Sequence, residues 1–381
     1  MNIVCKYSLL LLLMANIASQ YVLFNPVSNV LFYGVLGLAA VNSIFSITTF
    51  FNIDNIRATS FLWLFIAIYI LYQLTFGANY LERTSIEYVI AKVFVLIIIY
   101  WGVTTNFDFY YKTLVPFLSI AIALLIVYGY LFNNEVFSGR MTCGFGNPNS
   151  TSAVSFIAFA GFLLMDIKPK LLKYIGAAVC LFGLLAGGSR AAIAVCMLAI
   201  FLKYEFSFKT MMLFGICVIV VLFLFPFMGF EVAGIYRVFD VVDSGNFVGS
   251  RGNVRKATFM MIAERPITGW GLKTGIQGAA LKISTLGSHN GYYDTIKAIG
   301  IPFAVVLFGG ALKILFGIRQ VIKSKIPEVR YHMFVTGSVL LAACFESYII
   351  GVNQIITNLL FVSVAILQYR CYYNLEEEGF E

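Results

Sequence analysis

The sequence predicts an all-α, polytopic membrane protein of about twelve transmembrane helices with one large ordered loop. Three observations carry this. Of 381 residues, 60% are hydrophobic and only 12% charged, and the mean hydropathy is +0.89; a water-soluble domain carries about 25% charged residues. The apolar residues fall in runs of about 17 to 25, the length that crosses a hydrocarbon core of about 30 Å. Residues 230–290 break this pattern as a polar stretch far longer than an ordinary connection.

Apolar segments lie at 7–24, 27–51, 58–76, 89–105, 113–132, 150–166, 172–187, 191–202, 211–229, 292–317, 331–350 and 352–369. Each is expected to be helical, because lipid offers no partner to a bare backbone amide. The first 24 residues share Lys6, the apolar run Leu9–Leu13, Ala15 and Ala18 with a signal peptide. More spans follow at once, so we expect a retained first helix.

Orientation follows from the placement of the basic residues. With the N-terminus inside, the inner loops hold Lys6, Arg57, Lys112, Lys168, Lys170, Lys173, Lys203, Lys209, Arg319, Lys323, Lys325, Arg330 and Arg370. The short outer loops hold only Arg83, Arg140 and Arg190. Both termini are then cytoplasmic. The domain organisation expected is helices one to nine over 1–229, the outer loop over 230–290, and helices ten to twelve with a tail over 291–381. The net charge of +8 belongs to these loops, and no nucleic-acid partner is expected. The seven cysteines show no ligand spacing and read as small hydrophobes rather than disulfides or metal ligands.

Three outer features can carry chemistry. At Gly187-Gly188-Ser189-Arg190-Ala191-Ala192, small residues flank an arginine between two helices. A guanidinium matches phosphate oxygens two at a time; the plainer alternative is an interfacial anchor. The loop brings Ser250-Arg251-Gly252-Asn253-Val254-Arg255-Lys256, then Glu264-Arg265-Pro266-Ile267-Thr268-Gly269-Trp270-Gly271. Residues 253–264 have an amphipathic helical pattern, with Arg251 and Arg255 one turn apart. The alternative here is a basic surface drawn to anionic headgroups. At Ser288-His289-Asn290-Gly291-Tyr292-Tyr293 stands the one of two histidines, His289 and His332, that falls on the outer side. A lone histidine is more often structural, but at a loop–helix junction beside an arginine-rich loop it is a candidate general base.

A fourth loop, Gly139-Arg140-Met141-Thr142-Cys143-Gly144-Phe145-Gly146-Asn147-Pro148-Asn149, adds Arg140 as an anion-site candidate and Asn149 as a helix cap. The chain has no metal-ligand cluster, no P-loop, no GxSxG and no DxD pair. A metal-independent activity without a cofactor is therefore expected.

The order of a Gly146-Asn147-Pro148-Asn149 loop, a Ser189-Arg190-Ala191 turn, Arg251-x-x-x-Arg255 followed by Pro266-x-x-Gly269-x-Gly271, and a His289-Asn290-x-Tyr292 helix start resembles the O-antigen polymerase/O-antigen ligase superfamily. The resemblance covers roughly residues 139 to 310. This chain departs where the family often has an aromatic a few residues after the loop arginine; Arg255 or a near neighbour stands there. The resemblance implies a GT-C-like glycosyltransferase in a bacterial inner membrane, its active site facing the periplasm. It implies an undecaprenyl-diphosphate-linked glycan as donor and acceptor, with membrane lipids and a chain-length regulator protein as further partners. It makes His289, Arg190 and Arg251 catalytic, with Arg255, Arg265, Arg140, Asn290 and Tyr292 at the substrate. Polymerase is favoured over ligase, on the long loop suited to holding a glycan. A lipid-linked oligosaccharide flippase is third, since the ionisable residues within helices (Lys92, Lys297, Lys313 and Glu346) lie mostly near helix ends.

Overall fold

A computed structural model describes residues 2–45, 52–76, 83–132, 140–204, 251–273, 278–284 and 288–373. The expected span at 211–229 and the first part of the outer loop lie outside these residues. The described helices are α1 (Asn2–Gln20), α2 (Asn25–Phe45), α3 (Ile53–Ala58), α4 (Ser60–Thr75), α5 (Arg83–Thr105), α6 (Phe107–Lys112) and α7 (Leu114–Phe132). They continue with α8 (Pro148–Leu164), α9 (Lys170–Gly187), α10 (Arg190–Tyr204), α11 (Arg251–Glu264), α12 (Gly291–Gly317), α13 (Pro327–Ala342) and α14 (Ile355–Tyr372). Among the described residues there is no strand, and six helices are long and apolar enough to cross a membrane. Ser60–Thr75 and Pro148–Leu164 are apolar but shorter. The protein is an all-α polytopic membrane protein.

Burial explains how helices that are apolar on every face share one bundle. Helix α14 is the central post, buried from Ile355 to Gln368. Helix α8 is enclosed from Thr151 to Gly161 between α7, α9 and α10. By contrast, α2 exposes Val27, Val30, Leu31, Tyr33, Leu38 and Val41, and α12 exposes Val305, Val306 and Leu312. Exposed apolar surface of that extent suits lipid rather than water.

Two departures from the sequence expectation matter for the site. The apolar run 331–350 reads as one helix, but α13 stops at Ala342 and residues 343–354 form an irregular connection to α14. Such backbone is tolerated inside a membrane protein only where other groups satisfy it, and here they do. Tyr88 donates its hydroxyl to the Ile350 carbonyl, Lys92 Nζ donates to Gly351 at 2.6 Å, and Asn358 Nδ2 donates to Val352 at 2.9 Å. Asn16 links Asn353 to Asn358, at 2.8 Å and 2.6 Å. Lys92 is fully buried, with its ammonium 4.5 Å above the Phe361 ring.

The second departure lies in α12, which breaks at Gly300 (φ 77, ψ 166), two residues before Pro302. Carbonyls freed at the break receive Trp270 N on Lys297 O at 2.9 Å and Gly271 N on Ala298 O at 2.9 Å. In return Ile301 N donates to Pro266 O at 2.7 Å. A side chain at Gly269 or Gly300 would collide with backbone across this junction. The Pro266-x-x-Gly269-x-Gly271 segment is thus the strip that docks the loop onto the broken helix.

Candidate functional site

The termini of several helices converge at one end of the bundle. The loop before α8 is pinned to the end of α1, with Val22 N donating to Gly144 O and Gly146 N to Gln20 O, both at 2.9 Å. It is pinned to the end of α9 by Met141 N on Ala186 O at 3.0 Å. Helix α9 ends at Gly188 in the left-handed region, φ 64, which turns the chain into α10. Gly187 has no room for a side chain, since a Cβ would lie 2.4 Å from Ser152 Oγ and 2.6 Å from Pro148 O. Small residues therefore do bring the arginine turn against the neighbouring loop.

From this turn a continuous polar chain crosses the end of the bundle. Arg140 Nε donates to the Gly187 carbonyl at 2.8 Å, and its Nη2 donates to Asn149 Oδ1. Asn149 Nδ2 donates to Glu346 Oε1 at 3.3 Å. Glu346 Oε2 faces His289 Nδ1 at 3.5 Å, with the carboxylate side chain 13% and the imidazole 36% exposed. His289 has φ 48, a conformation that costs a residue with a side chain of order 1–3 kcal/mol and that clusters at functional sites. With Nδ1 turned to the carboxylate, Nε2 is the ring nitrogen directed away from it.

Asn290 fixes this geometry twice. Its Oδ1 caps α12 by accepting Tyr292 N and Tyr293 N, each at 3.0 Å, and its Nδ2 donates to Cys344 O at 2.8 Å. Gly291 N donates to Ala343 O at 2.7 Å and to Glu346 O at 3.1 Å. The start of α12 and the turn after α13 are thus stapled together. Tyr292 is a strut in this frame, its hydroxyl donating to Leu340 O at 2.9 Å and its ring 5.4 Å from Phe308.

The expected site residues divide accordingly. His289, Asn290 and Arg140 belong to one connected cluster, with the exposed Arg190 two residues beyond the Gly188 turn. Arg251 opens α11, and its side chain lies outside the described residues. Arg255 is half-buried one turn on. Arg265 lies over the Trp270 ring at 4.1 Å, while Trp270 Nε1 donates to Met261 O at 2.8 Å. Helix α11 approaches the histidine end of α12 through Phe259, 5.0 Å from Tyr293. The cap of α8 is Asn147 rather than Asn149, accepting Asn149 N at 2.8 Å, which frees the Asn149 side chain to join Arg140 to Glu346.

Sequence reasoning missed Glu346 as a site residue. It falls inside the apolar run 331–350, where the sequence alone places it within a helix, whereas it sits on the irregular turn after α13. The signal was present, because an ionisable residue inside an apolar run is costly and calls for a partner. Its partner, His289, is 57 positions away. His332, the other histidine, is fully buried within α13, with Nδ1 3.1 Å from Ser363 Oγ.

A comparison with curated proteins finds no match. Residues 175–308 match the family model described as O-antigen ligase, a span that holds Arg190, Arg251, Arg255, Arg265, His289, Asn290 and Tyr292 but neither Arg140 nor Glu346. That match supports membership of the O-antigen polymerase/ligase superfamily, the family that the loop motifs resemble.

Proposed function

We propose that this chain is a surface-polysaccharide polymerase. In this reading it transfers a glycan from an undecaprenyl-diphosphate carrier onto another carrier-linked repeat unit, at the periplasmic face of a bacterial inner membrane. The observation that carries it is the polar chain Gly187–Arg140–Asn149–Glu346–His289 across one end of an otherwise apolar bundle. His289 Nε2 takes the proton of the attacking sugar hydroxyl as that oxygen bonds to the donor's anomeric carbon. The bond from that carbon to the carrier phosphate breaks, and negative charge gathers on the departing diphosphate. Arg190 and Arg251 meet that charge with guanidinium donors, supported by Arg255 and Arg265. Glu346 holds the imidazole through Nδ1 and offsets the charge the ring acquires, as a carboxylate does behind a catalytic histidine in other enzymes. In this scheme arginines meet the charge on the departing diphosphate, and no metal is invoked.

The second reading is a ligase that moves the glycan to lipid A-core; the matching family model supports polymerase- or ligase-type function without separating the two. Donor chemistry is common to both, and only the acceptor differs. A lipopolysaccharide gel from a deletion strain carrying the wild-type gene or His289→Ala separates them. Core bearing a single repeat unit without a ladder supports the polymerase. Bare core with polymer left on the carrier supports the ligase. Bare core with units trapped on the cytoplasmic side would show a flippase and sink both.

A further inference from the structure

Directly beneath the histidine–carboxylate pair lies a second polar group that the scheme above does not use. Asp294, one turn into α12, is only 5% exposed, and Lys297 is 7% exposed. Lys297 Nζ stands 3.3 Å from Asp294 Oδ1. The other carboxylate oxygen, Oδ2, accepts the hydroxyl of Ser347 at 2.5 Å. Ser347 is the residue after Glu346.

A buried ion pair is a poor way to gain stability. Desolvating each ion costs several kcal/mol, and apolar side chains of similar size often hold a fold as well or better. What a charged acceptor adds is a short, directional bond, since hydroxyl-to-carboxylate bonds are shorter and stronger than neutral ones. Here that bond goes to one residue on an irregular turn, at the position next to the carboxylate that faces His289. The Glu346 backbone is held as well, its carbonyl accepting Gly291 N at 3.1 Å and Tyr348 N at 2.9 Å. Asn149 holds the far side of its side chain. The Ser347–Asp294 bond ties a side chain of this turn to the interior of α12.

We infer that Asp294, paired with Lys297, is a positioning residue: through Ser347 it sets the register of Glu346 against His289. The inference rests on the role proposed for His289 and Glu346, and it deepens that site rather than adding another. Lys297 also offers its backbone carbonyl to Trp270 N at 2.9 Å. The same turn of α12 therefore carries both the loop strip and the histidine brace, so their relative placement is fixed by one rigid element.

The test uses full-length protein in native membranes, with carrier-linked glycan extracted from the deletion strain as probe, and rates normalised to tagged protein in the membrane. Ser347→Ala is expected to lower the rate at saturating glycan by about tenfold with KM unchanged, because the brace acts on the base and not on donor binding. Ser347→Thr, which keeps the hydroxyl, recovers most of that loss. In a Glu346→Gln background the further change Ser347→Ala has no added effect, since both act through one contact. Losses that multiply would overturn the inference, as would a wild-type rate in Ser347→Ala. Should Ser347→Ala accumulate poorly, the double change Asp294→Asn with Lys297→Met keeps volume and a neutral acceptor. Its rate should fall between those of wild type and Ser347→Ala, and a wild-type rate would overturn the role of the Asp294–Lys297 pair. His289→Ala in the same assay separates the two failures. Full activity there removes the base itself, whereas inactivity there beside a wild-type Ser347→Ala removes only the brace.

Discussion

Replacing Gly300 by alanine should detach the 266–271 strip from the helix it docks on. Gly300 sits at φ 77, ψ 166, a region that costs a residue with a Cβ about 1–3 kcal/mol. The new Cβ would also lie 2.1 Å from Ile267 O and 2.7 Å from Ile267 C. Those are backbone atoms, and no rotamer change relieves the clash. Relief comes from moving the 266–271 strip, which loosens Ile301 N–Pro266 O, Trp270 N–Lys297 O and Gly271 N–Ala298 O. At about 1 kcal/mol net for each bond, closing the junction becomes less favourable by about 3 kcal/mol or more. The fraction with the strip open rises by about two orders of magnitude. Limited trypsin digestion in detergent reads this directly, because the exposed Lys273 lies just beyond the strip, while the Arg265–Pro266 bond resists trypsin. Cleavage there should accelerate strongly while the membrane helices stay intact. Wild-type cleavage kinetics in Gly300→Ala would refute the docking role of the break.

Two further outcomes follow from single contacts. Arg140→Lys keeps the charge but loses the fork that reaches both Gly187 O and Asn149, so transfer should fall about tenfold or more; a wild-type rate would remove Arg140 from the chain. Asn290→Ala loses the cap of α12 and the bond to Cys344 O, lowering stability by about 1–2 kcal/mol. Asn290→Asp should restore the cap but not the staple, giving an intermediate melting temperature in detergent.

Much of the bundle is legible from apolar run length alone. The runs at 172–187 and 292–317 mark helices observed over Lys170–Gly187 and Gly291–Gly317. That works because the bilayer forces backbone bonds to close within each segment. The rule fails at 331–350, where the helix stops at Ala342. There Tyr88, Lys92 and Asn16, all remote in sequence, together with Asn358 at the start of the next helix, supply what the helix would have supplied to itself. Pairings of that kind leave no trace in local periodicity. The cluster around His289 divides the same way. Its local parts, the Asn290 cap and the glycine turn before Arg190, belong to short motifs that can be read directly. The contact of His289 with Glu346 depends on where the interrupted helix ends, and it emerges only from the packed chain.

The most direct test is transfer by purified protein in lipid nanodiscs, comparing wild type with His289→Ala at saturating carrier-linked glycan. If His289 is the base, the variant folds, binds donor as the wild type does, and transfers about a hundredfold or more slowly. A variant that polymerises at the wild-type rate would contradict the catalytic role of the cluster.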